Sequence, residues 1–181
     1  MKLPTVDCCT HICFIHMALD GMTDAQTYQQ EINTDIAMSH LERTFKITPG
    51  DFIRAGEVSI QVQSILKTIG FGADVVRRAS ICAYESEINV VMHGGEGSFL
   101  LIVDTGMITM EVQDSGPGIE NIDLALQEGF STAMPEHREI GFGAGMGLPN
   151  INKNADSLEI YSKKDEGTLL KIHIQVNDKG G

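Results

Sequence analysis

Residues 99–118 read FLLIVDTGMITMEVQDSGPG. Phe99–Val103 and Ile108–Val112 are two apolar runs, and Asp104-Thr105-Gly106-Met107 lies between them. An Asp-x-Gly turn between alternating apolar runs predicts a β-hairpin. Asp114 closes the second strand and is followed by glycines at 116 and 118, so the chain bends tightly just where an acidic side chain is presented.

Upstream of this hairpin, Met38 opens MSHLERTFKI, whose tail Thr44-Phe45-Lys46-Ile47 alternates as a short strand does. Thr48-Pro49-Gly50 is a turn, and Asp51 is the expected N-cap of a helix with Ala55, Val58, Val62, Ile65, Leu66 and Ile69 on its buried face. Gly70 and Gly72 stop it. A second helix, with Asp74 as its cap, carries Val75, Val76, Ala79, Cys82, Ile88 and Met92, and ends at His93-Gly94-Gly95. Downstream, Ile122–Gln127 predicts a short helix, Phe130–Gly147 an irregular glycine-rich stretch, and Leu148–Asn154 another helix. Ser157–Ser162 and Thr168–Val176 pair as strands around Lys164-Asp165-Glu166-Gly167. The order β, α, α, β, β, loop, α, β, β predicts an α+β fold. Its form is a two-layer sandwich of a mixed, mostly antiparallel sheet with helices on one face, not a doubly wound parallel sheet.

The 181 residues suit one domain with an appendage. Residues 1–37 differ from the rest. They hold Cys8, Cys9 and Cys13, then a polar, glutamine-rich stretch (AQTYQQEINTD), and read as an N-terminal leader that is disordered or metal-binding. Residues 38–178 form the expected domain, with Met38 an alternative start. Cys8, Cys9, His11, Cys13 and His16 are metal-ligand types, but nothing later supplies a paired second half. Uneven cysteines argue against a secreted disulfide framework and for a reducing cytoplasm. A formal charge of −12 argues against nucleic acid as a partner. No apolar run approaches the roughly 18 residues a membrane span needs.

Glu85 and Asn89 stand four residues apart on the second helix and share one face, among Ile81, Cys82, Ile88 and Met92. Such a setting leaves a carboxylate and a carboxamide half-buried. Asp114, Gly116 and Gly118 form a second constellation. Gly141, Gly143, Gly145 and Gly147 form a third, alternating along the chain into a helix. Backbone amides there can curl round an anion, with the helix N-terminus adding positive potential. No G-K-[ST] follows, so this is not a Walker loop, and the missing preceding strand excludes a dinucleotide fingerprint.

E-x-x-x-N on a helix, then D-x-G-x-G, then G-x-G-x-G before a helix resembles the ordered signature of the GHKL ATPase superfamily, which includes gyrase, histidine kinases and heat-shock chaperones. ESEINVVMHGGEG, DSGPGIENIDLALQEGFST and GAGMGLPNINKNADSLEIYS are most similar to the bacterial switch kinases, the small anti-sigma factors and serine-protein kinases of stress and sporulation control. The likeness runs from about Leu41 to Val176. It implies the Bergerat ATP-binding fold, with ATP or ADP and Mg²⁺ bound. Glu85 would be the general base and Asn89 a Mg²⁺ ligand. Asp114 would take the adenine amino group, assisted through water by Thr168. Gly116 and Gly118 would let the loop approach the base, and the glycines at 141, 143, 145 and 147 would wrap the phosphates. Arg138 would reach the γ-phosphate from a lid over Phe130–Gly141.

The activity implied is phosphorylation of a serine or threonine on a small antagonist protein of the STAS type, with exchange for a sigma factor or other regulator. Two other readings stay open: a non-catalytic, nucleotide-gated module that sequesters a regulator, and an accessory ATPase of another bacterial enzyme system. Whether the chain forms a homodimer is also open. Ser39-His40-Leu41-Glu42-Arg43-Thr44 imitates the phosphoacceptor box of a sensor kinase, but Phe45 replaces the expected proline and the segment heads into a strand.

Overall fold

A computed structural model of the chain describes residues 40–131 and 143–176. The leader, the Met38 start, Arg138 and Gly141 lie outside the described residues. In chain order the elements are β1 (His40–Ile47), α1 (Glu57–Ile69), α2 (Ala73–His93), β2 (Gly97–Asp104), β3 (Met107–Asp114), α3 (Ile122–Ala125), α4 (Gly147–Asn154), β4 (Ser157–Lys163) and β5 (Gly167–Gln175). The strands line up as β1-β2-β3-β5-β4, and every neighbouring pair is antiparallel.

The expected α+β sandwich forms, but its sheet is not mixed: no parallel pair occurs among the described residues. Two features decide this: the even number of helices between β1 and β2, and the insertion of β5 between β3 and β4, which run parallel but never pair. A single crossover helix would deliver the next strand parallel, whereas the α1–α2 hairpin returns the chain to the end it left. The Gly50 N–H donates to the Val91 carbonyl at 2.8 Å and fixes that return, joining the exit of β1 to the last turn of α2.

Alternation along the strands decides which face is covered. Phe99, Leu101 and Val103 of β2, Ile108, Met110 and Val112 of β3, and Leu170, Ile172 and Ile174 of β5 point into one core. Register aligns them in rows, with Leu101 opposite Met110 and Met110 opposite Ile172. Val58, Val62 and Leu66 of α1 and Val76, Ala79, Ala83, Val90 and Val91 of α2 close the layer. Each Val, Leu, Ile, Met or Phe among them contributes about 1.5–3 kcal/mol on burial. Phe45 and Phe99, cross-strand partners, meet edge to face with centroids 6.1 Å apart. The opposite face is polar, as the Lys171–Glu111 ion pair at 2.9 Å shows.

Several predicted boundaries move. β1 begins at His40, four residues before the alternation is clear, because its outward residues pair with β2: His40 Nδ1 lies 2.6 Å from Asp104 Oδ1. From His40 to Thr44 the imitation phosphoacceptor box is therefore strand. α1 starts at Glu57, not after Asp51, whose carboxylate accepts the Arg54 N–H at 3.3 Å and caps a separate turn. Gly56, at φ 99°, breaks the chain between that turn and the helix. Gly72 caps α2, and Asp74 sits inside the first turn, paired with Arg77 at 2.9 Å. α3 stops at Ala125 instead of Gln127, with Asn121 Oδ1 accepting the Leu124 N–H at 2.9 Å as its cap.

Candidate functional site

One stripe of α2 organises the site. Arg78, Cys82, Glu85 and Asn89 follow one another at helical spacing, and all four meet α4, which runs in the opposite direction. Arg78 Nε donates to the Asn154 carbonyl at 2.8 Å, a cation on the last turn of α4. Cys82 Sγ donates to the Ile151 carbonyl at 3.8 Å, and its burial pushes the thiol up to about 12. Asn150 Nδ2 donates to Glu85 Oε1 at 2.7 Å. At the top of the stripe, Gly147 rests on Asn89: a Cβ on that glycine would lie 2.9 Å from Asn89 Oδ1. Glu85 and Asn89 are half-buried, as their apolar neighbours predict. No ion pair engages Glu85 among the described residues.

Asp156 anchors the far end of the stripe. Its burial alone would raise the carboxyl, but the Gln175 N–H at 2.7 Å and the Arg78 guanidinium at 2.8 Å hold it below the ordinary carboxylate range.

The second part of the site lies at the end of the sheet. Asp114 is the last residue of β3 and stands opposite Thr168 at the start of β5. Asp114 Oδ1 accepts the Gly116 N–H at 2.7 Å, and Oδ2 has no partner among the described residues. Gly116 is pressed against the glycines that end α2. A Cβ there would come within 2.7 Å of both Gly94 Cα and Gly95 N, so the helix stop read from His93-Gly94-Gly95 also seats the Asp114 loop. Gly118 passes under the Lys163 carbonyl with no room for a side chain.

Ser162, on β4, completes this end. Its Oγ accepts the Ile119 N–H at 2.7 Å, lies 3.0 Å from the Gly167 carbonyl, and sits 2.9 Å from Thr168 Oγ1. One proton assignment satisfies every group: Ser162 donates to Gly167, and Thr168 donates to Ser162. Thr168 Oγ1 then keeps its lone pairs for a ligand or a water. A cavity of about 480 Å³ opens here, lined by Asp114, Ile122, Ile160, Ser162 and Thr168 among others.

The described part of the glycine run packs beside the loop that follows α3. Gly145, at φ +73°, is buttressed by the backbone of Gly129 and Phe130, and the Gly129 N–H donates to its carbonyl at 2.9 Å. Gly143 also adopts a left-handed φ of 73°. The fold thus brings together Glu85, Asn89 and Gly147 at one end, and Asp114, Gly116, Gly118 and Thr168 at the other. Sequence reasoning did not single out Asn150 and Ser162. Asn150 carries a faint signal as a polar residue between Pro149 and Ile151, both buried. Ser162 carries none, since its partners are far off in sequence. Among the described residues no cluster of His, Cys, Asp or Glu could hold a metal ion by itself. No described helix is long and apolar enough to cross a membrane.

Residues 75–178 match the family model described as histidine kinase-, DNA gyrase B-, and HSP90-like ATPase. An anti-sigma F factor of Thermoanaerobacter sp. (strain X514) is 36% identical over 93 residues, 49% of this chain and 62% of that protein. The chain therefore spans less than two thirds of that relative. The serine/threonine-protein kinase RsbT of Bacillus subtilis (strain 168) is 27% identical over 129 residues, 69% of this chain and 89% of that one. Among solved structures, the mycobacterial sensor histidine kinase MprB aligns with a TM-score of 0.41 at 12% identity, over 75% of this chain and 97% of that one. The family match takes in more than half of the chain, from the first turn of α2 to beyond the end of β5. On that match, the chain belongs to the family of histidine kinase-, DNA gyrase B- and HSP90-like ATPases.

Proposed function

We propose that this chain is an ATP-dependent protein-serine/threonine kinase of the anti-sigma-factor type, acting on a small STAS-type antagonist in a reducing cytoplasm and exchanging it for a sigma factor or other regulator. The observation that carries this reading is the pairing of Glu85 with Asn89 on one half-buried face of α2, against the glycine-led start of α4. A module that only binds nucleotide needs Asp114, Asn89 and the glycines. It has no use for an oriented carboxylate beside them.

In this reading Asp114 Oδ2 accepts from the adenine amino group, and Thr168 assists through a water. Gly116 and Gly118 let the loop lie close to the base. The amides of Gly141, Gly143, Gly145 and Gly147 receive the phosphates, with Arg138 approaching the γ-phosphate. Asn89 fits a Mg²⁺ site, because its hard carboxamide oxygen is left uncovered by the missing Cβ of Gly147. Mg²⁺ held there would neutralise phosphate charge. Glu85 takes the proton of the acceptor hydroxyl as that oxygen bonds to the γ-phosphorus, the bond to the bridging oxygen breaks, and ADP leaves.

The test is incubation of the full chain with γ-labelled ATP and candidate STAS-type domains. The wild type transfers label, and Glu85→Gln retains nucleotide affinity while transfer falls about 10²–10⁴-fold. Unchanged transfer in Glu85→Gln removes it from the base role. A second reading draws on the relatives named anti-sigma F factors: nucleotide-gated capture of a sigma factor without transfer. ATP-dependent binding of a sigma factor by a wild type that transfers no label would favour it.

A further inference from the structure

Glu85 has one orienting partner among the described residues, and that partner is neutral: Asn150 Nδ2, 2.7 Å from Oε1. We propose that Asn150 is the positioning residue for the Glu85 carboxylate, a role that rests on Glu85 being the base. The donor holds Oε1 and so stops rotation of the carboxylate about its last bond. Oε2, with no partner among the described residues, is left for the acceptor hydroxyl.

Charge explains why a carboxamide suits this position. A lysine or arginine would hold Glu85 as an ion pair and oppose its taking up a proton. A carboxamide donates a hydrogen bond and does not titrate, so it orients the carboxylate while leaving it able to accept.

Asn150 is itself firmly placed. Its N–H donates to the Met146 carbonyl at 2.8 Å, and its carbonyl accepts from Asn154 Nδ2 at 2.8 Å. The register of α4 on α2 is set independently on either side, by Arg78 on Asn154 and Cys82 on Ile151 below, and by Asn89 under Gly147 above. Three contacts fix the helix, and the fourth uses that rigidity to aim a carboxylate. The helix that aims Glu85 also begins at the glycine run, so one rigid element sets both.

Two measurements on the full-length chain test this. The first needs no nucleotide: thermal unfolding of Glu85→Ala, Asn150→Ala and the double variant. If the hydrogen bond is made, Asn150→Ala lowers Tm in the wild-type background and adds nothing once Glu85 is truncated. Additive losses would overturn the bond. The second reads label transfer from γ-labelled MgATP to a STAS-type domain. Asn150→Ala lowers kcat about 10²-fold with KM for MgATP little changed, and Asn150→Gln, which keeps the amide, recovers part of the loss. Asn150→Leu, of similar volume but without the N–H, replaces the truncation if the truncated chain does not fold. A normal kcat in Asn150→Ala beside an inactive Glu85→Ala overturns the positioning role and leaves the base role standing. A fully active Glu85→Ala overturns both.

Discussion

Glu87 on α2 reaches across to α1, where its Oε1 accepts the Val58 N–H at 3.3 Å and its Oε2 accepts the Ser59 N–H at the same distance. α1 begins after Gly56, which has no side chain to offer, so a carboxylate from the neighbouring helix satisfies its first-turn amides. Glu87 is only 3% exposed, yet it is compatible with burial because negative charge at a helix N-terminus is favourable.

Glu87→Ala leaves those buried amides unpaired and should cost about 2 kcal/mol in urea unfolding. The pH dependence has a definite sign. Burial pushes the Glu87 carboxyl above its ordinary value of 4.5, against the pull of the Val58, Ser59 and Gly56 amides. The folded state therefore binds this proton more tightly than the unfolded chain does. That contribution is complete below the ordinary value and is lost as pH rises through the folded one. The Tm advantage of wild type over Glu87→Gln should shrink as pH rises above the ordinary value of 4.5. An advantage that grows with pH would contradict the shift.

Two left-handed glycines separate strain from collision. Gly70 has φ +100° and nothing within 4 Å of where a Cβ would be, so Gly70→Ala should cost about 1 kcal/mol, from backbone conformation alone. Gly167 has φ +90°, and a Cβ there would run into the Asp114 carbonyl oxygen. Gly167→Ala should therefore cost about 3 kcal/mol or more and weaken ATP binding, because it displaces the strand end that presents Asp114. Equal denaturation midpoints for the two variants would show that the β3–β5 end yields freely.

Asp114→Asn separates the fold from the ligand. The carboxamide oxygen can still accept the Gly116 N–H, so the loop and the Tm should hold. What is lost is a charged acceptor toward a nucleotide amino group, about 1–3 kcal/mol of adenine-nucleotide affinity by calorimetry. Wild-type affinity in this variant would move the base-recognition site elsewhere.

Much of the fold was legible in local sequence because the deciding signals are short in range. Alternation at Phe99–Val112 and the Asp104–Met107 turn specify a hairpin whatever surrounds them. The three glycine and carboxylate motifs survive as pattern because each one's chemistry sits within a few residues. Helix starts were less legible. Asp51 and Asp74 have the right chemistry for capping, but Asp51 caps a separate turn and the helices start after Gly56 and Gly72.

What only the tertiary structure decided are the contacts across long separations. Glu87 and Val58 are 29 residues apart, Glu85 and Asn150 are 65, and Ser162 meets Ile119 across 43. No periodicity links such residues, since their meeting depends on the packing of α1 and α4 on α2 and of β4 beside β5. The sheet's fully antiparallel order has the same origin, in the path of the α1–α2 hairpin and the placing of β5 between β3 and β4. By itself the sequence determined which groups could do chemistry. Packing decided which of their atoms are held and which are left open, because a hydrogen bond depends on position in space and a motif records only order along the chain.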